Sequence, residues 1–112
     1  MTSEKMAELI LNHTGGYEKN NFPQTKGMDA MQVLRNQHSD KIFAIIFEQA
    51  QQLLINLKLT PEHVSELRQE VGIYPGYHMS KKHWITINYE EAALSEHEFL
   101  AMASESVQLT QK

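Results

Sequence analysis

Apolar residues recur along this chain with two different periods, and each change of period marks a new element. Met6, Leu9, Ile10 and His13 stand at i, i+3, i+4 and i+7, the spacing of one helix face. Gly15-Gly16 supplies its stop. A polar stretch through about Gly27, with Pro23 and a pair of asparagines, reads as a loop or an irregular lead into a sheet. Stretches with strand character follow, of which Met31–Arg35 is the shortest. In Lys41–Glu48, Phe43, Ile45 and Phe47 alternate with Ala44 and Ile46. In Leu53–Leu59, Leu53, Ile55, Leu57 and Leu59 face one way and Leu54, Asn56 and Lys58 the other. Alternation with one mixed face predicts an antiparallel sheet covered on one side. The links Asn36–Asp40 and Gln49–Gln52 are short and polar, as hairpin turns are. The second has neither Gly nor Asn, so its turn type is not legible. Its Gln and Ala leave a helical reading of Glu48–Leu57 open.

Thr60-Pro61-Glu62 is a helix start. Thr60 can cap, Pro61 suits the first helical position, and Glu62 faces the positive end of the dipole. Val64, Leu67 and Val71 form the expected buried stripe, and Gly72 ends it. Ile73 to His78 reads as extended, bent at Pro75-Gly76. His83–Tyr89 is a further strand, with Ile85, Ile87 and Tyr89 on one face and Trp84, Thr86 and Asn88 on the other. Ser95-x-x-Glu98 is a capping box. The helix behind it is expected to bury Leu100, Ala103 and Val107, with Phe99 and Met102 on its flanks. The order α-β-β-β-α-β-β-α predicts an α+β fold: an antiparallel sheet with helices packed mainly on one face. No repeat or linker interrupts it, so residues 1–112 read as a single domain.

Composition narrows the function classes. Hydrophobic residues at 41% and charged residues at 21% give a globular balance and argue against disorder. The absence of cysteine rules out disulfides, thiolate zinc sites and cysteine nucleophiles. It suits a reducing, cytoplasmic setting. The N-terminus carries no basic region followed by an apolar stretch, so no secretory signal is expected. The longest apolar run, Ile42 to Phe47, is far short of the roughly 20 residues of a membrane helix, so no membrane partner is expected.

The net charge of -4 is unevenly spread. Val71 to Tyr89 holds Lys81, Lys82, His78 and His83 and no acid, whereas Glu90 to Glu105 holds acids and no lysine or arginine. A loop with these cations and with Tyr77 and Trp84 suits a phosphate backbone and base stacking. Lys58, on the mixed face of a neighbouring strand beside Asn56, extends the patch. So few basic contacts imply weak, salt-dependent DNA binding. Each residue also has a structural role open to it. The lysines can be a solvated hairpin tip, Trp84 can pack against a helix, and the histidines can bond backbone carbonyls and fix the turn.

Other chemistries find less. His78 and His83 fall on opposite faces of an extended segment, and a third metal ligand would have to come from Glu90 or His38. Ser80 near His83 lacks an orienting acid and a nucleophile elbow. There is no phosphate-cradling glycine loop. No catalytic residue, metal or cofactor is expected.

Three stretches together resemble the MmcQ/YjbR family. Lys41-Ile42-Phe43-Ala44 is similar to its Lys-x-Phe-Ala strand, and Leu57-Lys58-Leu59-Thr60-Pro61-Glu62 to its strand-to-helix junction. His78-Met79-Ser80-Lys81-Lys82-His83-Trp84 is similar to its His-[Leu/Met]-Asn-Lys-x-His-Trp block. Ser80 stands where Asn is usual, and Ser106-Val107 where Ser-Tyr is common, which removes one aromatic. The resemblance implies a small single-domain protein of α-β(3)-α-β(2)-α layout with a proposed double-wing DNA-binding role. It brings no catalytic residues. The resulting expectation is a non-catalytic DNA-binding module using Lys58, Tyr77, His78, Lys81, Lys82, His83 and Trp84. The alternative is a protein-interaction module or homodimer, motivated by Ala44, Ile46, Leu54 and Trp84 on both strand faces.

Overall fold

The computed structural model describes residues 1–21 and 31–112; residues 22–27 of the polar stretch expected as a loop lie outside them. Helix α1 (Ser3–Thr14) starts where Thr2 Oγ1 accepts from the Lys5 N–H at 3.1 Å. It stops at Gly15, whose left-handed φ of 77° lets its N–H reach the Leu11 carbonyl. Its buried face is Met6, Ala7 and Ile10. Leu9 is only half-buried and His13 is exposed, so the helix is rolled away from the expected stripe. His13 Nε2 meets Ser104 Oγ at 2.9 Å instead.

The strands are β1 (Tyr17–Glu18), β2 (Gln32–Arg35), β3 (Ile42–Gln49), β4 (Gln52–Lys58), β5 (Ile73–Pro75) and β6 (Trp84–Asn88). They form one antiparallel sheet in the order β1-β2-β3-β4-β6-β5. Glu48–Leu57 is therefore strand and hairpin, not helix. β1 is too short to carry a periodic signal, and it adds to the expected order. At the β2–β3 ladder the register shifts: Leu34 faces Ala44 while Arg35 faces Ile42. The odd residue is Phe43. This bulge turns its side chain into the same core as Ala44 and Ile46, against the strict alternation expected of it. At the β3–β4 turn, Ala50 and Gln51 both adopt positive φ, 53° and 65°, as a tight two-residue hairpin demands.

Helix α2 (Pro61–Leu67) is capped by Thr60 as expected, but it ends at Leu67. The chain turns there through Glu70 N–H to Leu67 O, which leaves Val71 73% exposed and outside the core. β6 ends one residue early because Asn88 Oδ1 caps a short helix α3 (Tyr89–Ala92) by accepting from the Glu91 N–H. Helix α4 (Glu96–Leu109) carries the full capping box. Its buried face is Phe99, Met102, Ala103 and Ser106, with Leu100 and Val107 half-buried. Ser106 explains the rotation. Its hydroxyl donates to Phe43 O and accepts from Lys58 N–H, joining α4 to β3 and β4. No helix among the described residues is long and apolar enough to cross a membrane.

The ladder sorts the strand residues into two faces. Ile46, Ile55, Ile87 and Ile73 form a row across the sheet under the helices, in one core with Met6, Ile10, Val64 and Phe99. Val33, Ile45, Asn56, Thr86 and Tyr74 form the adjoining row on the opposite face, helix-free among the described residues.

Candidate functional site

The connection from β5 to β6, residues 76–83, is held against the helix-free face by a small polar network. Tyr77 N–H donates to Thr86 Oγ1 at 2.8 Å. Thr86 Oγ1 donates to Asn56 Oδ1, and Asn56 Nδ2 donates back to Tyr77 O at 2.9 Å. Asn56 is 2% exposed, so its carboxamide depends on these partners for its hydrogen bonds. The Tyr77 ring lies on Phe47, with centroids 5.7 Å apart, and against the His78 ring at 4.0 Å. His78 itself sits at φ 62°, uncommon for a residue with a side chain. Gly76 bonds Trp84 O through its N–H, and a Cβ there would lie 2.7 Å from the Trp84 Cβ, so close approach demands glycine.

The residues expected to form a basic and aromatic patch divide into different roles. Lys81 Nζ donates to the carbonyls of Gly76 and Met79, and Lys81 O accepts from Arg68 at 3.3 Å. Lys81 is thus the internal brace of its own loop. Neither His78 nor His83 makes a side-chain hydrogen bond among the described residues, so the turn-fixing role expected of the histidines falls to Lys81. His83 is half-buried, and its carbonyl accepts from Leu59 N–H. Trp84 is 7% exposed and shares a face with Thr86 and Asn88, too deep to offer its ring for stacking and away from the helices. Lys58 pairs with Trp84 across the ladder and is half-buried. Tyr77, His78 and Lys82 are exposed. Ser80 contributes its backbone carbonyl, which accepts from His83 and Trp84, so its departure from Asn leaves the turn intact.

Two hollows flank Tyr77, and sequence reading found neither. One, of about 260 Å³, is lined by Gln49, Gln52, Leu54, Tyr74, Pro75, Tyr77, Thr86 and Asn88. The other, of about 240 Å³, is lined by Met31, Ile45, Phe47, Asn56, Tyr77, His78 and Met79. No carboxylate lines either one among the described residues. The available signal was Asn56 and Thr86 at mid-strand on the same face: polar residues central to a sheet are either solvated or networked. Tyr74 hydroxyl donates to Glu91 Oε1, and this bond to a carboxylate holds the phenol above its ordinary pKa.

Charge is divided by element type. The helices carry Glu4, Glu8, Glu62, Glu66, Glu90, Glu91, Glu96, Glu98 and Glu105 against Lys5 alone. Among the described residues, strands, loops and the C-terminus carry Lys19, Arg35, Lys41, Lys58, Arg68, Lys81, Lys82 and Lys112 against Glu18, Asp40, Glu48 and Glu70. His63 Nδ1 lies 2.8 Å from Glu105 Oε1, while Glu105 Oε2 accepts from Thr60 N–H, which ties the start of α2 to α4. The described residues contain no cluster of three or more potential metal ligands.

Of the apolar residues that motivated pairing with another chain, Ala44 and Ile46 belong to the helix-covered core. Trp84 is buried and Leu54 is half-buried. Both edge strands are short, β1 with two residues and β5 with three, and Pro75 ends the latter. Short edges of this kind leave little backbone for strand addition.

Over 37 residues the chain is 51% identical to the uncharacterised protein YyaQ of Bacillus subtilis, and over 49 residues 47% identical to the uncharacterised protein YbdF of Escherichia coli. Those matches cover 33% and 42% of this chain and span only 31% and 39% of the relatives' lengths. The fold is similar to the crystal structure of a Pseudomonas syringae protein, with a TM-score of 0.82 at 27% identity over 98% of this chain and 99% of that one. The sequence pattern of the YjbR family matches residues 11–109, which takes in every strand of the sheet and the helices α2 to α4; the chain belongs to the YjbR family.

Proposed function

We propose that this protein is a non-catalytic binding module that engages nucleic acid through the helix-free face of its sheet, around Tyr77. The observation that carries the reading is the concentration of glutamates on the helices, against the lysines of the strands and loops. A polyanion approaching the helices meets a field of glutamates. On the opposite face it meets Lys58, with exposed Lys82 on the adjoining loop; no carboxylate lines the hollows beside Tyr77 among the described residues, and the Glu91 carboxylate that reaches Tyr74 is engaged by its hydroxyl. Exposed Tyr77 and His78 supply ring surface for stacking. This is also the role that the family resemblance implies. Lys81 and Trp84 act indirectly here, the first by bracing the loop and the second by filling the sheet beneath it. The reading requires no cofactor, and a cysteine-free chain suits the cytoplasm.

With Lys58 and Lys82 as the principal contacts, binding is weak, and log K falls with log salt at a slope of about -2. Fluorescence anisotropy with short single-stranded and duplex DNA, from low to physiological salt, tests it. Lys58→Ala with Lys82→Ala should weaken binding to every sequence and flatten the salt slope. Equal binding by the double variant, or no binding at low salt, overturns the proposal.

A further inference from the structure

We infer that the hollow lined by Tyr74 and Tyr77 receives one unpaired nucleobase, so that the ligand of this face is a single strand. This rests on the nucleic-acid reading above and narrows it. Tyr74 and Tyr77 are 46% and 41% exposed, and both line the same hollow. Tyr77 is steadied by Phe47 and Tyr74 by its bond to Glu91, so both rings are held in place before a ligand arrives. Two aromatic rings lining one hollow suit a flat aromatic guest, and every base has a stacking face.

The rim supplies the polar selectivity. Gln49 and Gln52 sit directly opposite each other at the end of the β3–β4 hairpin, brought together by the tight turn at Ala50 and Gln51. Asn88 Nδ2 donates to Gln52 Oε1 at 2.7 Å, which leaves the Gln52 amide hydrogens to donate into the hollow. The Gln49 carboxamide has no partner among the described residues. The Thr86 hydroxyl is occupied on both sides, by Tyr77 N–H and Asn56 Oδ1, and Asn88 Oδ1 is taken by Glu91 N–H. The rim therefore offers the Gln52 amide as a donor and the Gln49 carboxamide as both donor and acceptor, and a base edge with keto oxygens beside a ring N–H, as in thymine or uracil, matches it. Bases within a duplex keep their faces stacked and their pairing edges covered, and cannot enter.

Anisotropy with oligo(dT), oligo(dA) and a matched duplex tests the assignment, using the full chain and its Tyr74→Ala, Tyr74→Phe and Gln49→Ala variants. Oligo(dT) should bind about tenfold more tightly than duplex. Tyr74→Ala should remove that preference and leave duplex binding unchanged, whereas Tyr74→Phe, which keeps the ring, should retain it. Gln49→Ala should narrow the gap between oligo(dT) and oligo(dA). Equal binding of single strand and duplex, with oligo(dT) affinity unaltered by Tyr74→Ala, overturns the base pocket. If the Lys58 and Lys82 substitutions still weaken both probes in that case, the nucleic-acid reading stands without it. Binding of neither probe at low salt overturns both.

Discussion

The Tyr77 ring rests on the Phe47 ring with centroids 5.7 Å apart and planes 24° from parallel, and this contact fixes the loop that closes the helix-free face. The contact is offset stacking of the kind worth about 0.5–1.5 kcal/mol beyond area burial. A double-mutant cycle with Phe47→Leu and Tyr77→Leu, read by urea denaturation, should return a coupling energy in that range. Additive effects would mean that the rings merely adjoin.

Asn56→Ala should be more damaging than its size suggests. It strips partners from Tyr77 O and the Thr86 hydroxyl together, and an unsatisfied buried polar group costs about 1–3 kcal/mol. Amide hydrogen exchange should report the loss at Tyr77 first, because Thr86 Oγ1 would lose the geometry that receives its N–H.

Lys81→Met and Lys82→Met should differ sharply although the residues are neighbours. Lys81 Nζ holds the carbonyls of Gly76 and Met79, so its loss should raise hydrogen exchange across residues 76–84. The Lys82 variant should exchange as the parent does. Equal protection in both variants would remove the bracing role from Lys81.

Gln51→Gly should stabilise the protein. Gln51 adopts φ 65° with a side chain attached, a state that costs of order 1 kcal/mol and that glycine adopts freely. A rise in the denaturation midpoint with an unchanged slope is the expected result. A fall would mean that the Gln51 side chain makes up for the strain.

The α4 capping box gives a pH dependence. Hydrogen bonding from Ser95 holds the Glu98 carboxyl below its usual range, because the bonds favour the charged form. The folded value lies under the unfolded one. The contribution is therefore present at neutral pH and is lost as pH falls through the ordinary glutamate value and then the lowered one. Glu98→Gln should be less stable than the parent at neutral pH, and the gap should close in acid. A gap that widened in acid would contradict the assignment.

Much of the architecture was legible because it follows from periodicity and capping. The β4 stripe, the Thr60 cap, the Ser95 box and the order of the main elements along the chain all came from local pattern. The errors share a different origin. Phe43 changed faces because of a bulge, which inserts one residue without any residue type to announce it. The buried side of α4 was misjudged because Ser106, a polar residue, is at its centre. Val71 was assigned to the core because the helix stops where the chain turns, four residues before Val71. In the candidate site, local charge and aromaticity point to Tyr77 and His78, which line its hollows. They do not point to Tyr74, Gln49 and Gln52, which converge only when β4, β5 and β6 pair. The brace role of Lys81 depends on where a long side chain folds back, which spacing does not encode.

The separation of glutamates onto the helices from lysines on the strands and loops has a consequence at distances longer than any contact. It weights the negative charge of the described residues toward the helices and away from Lys58 on the other face of the sheet, and an asymmetry of that kind acts as an electric dipole. In the field of a highly charged partner such a body turns before it collides, and a modest torque during diffusion raises the share of productive encounters. The overall negative charge then sets how fast an anionic partner is met, while the dipole sets which side meets it. Added salt would blunt the second effect along with the first.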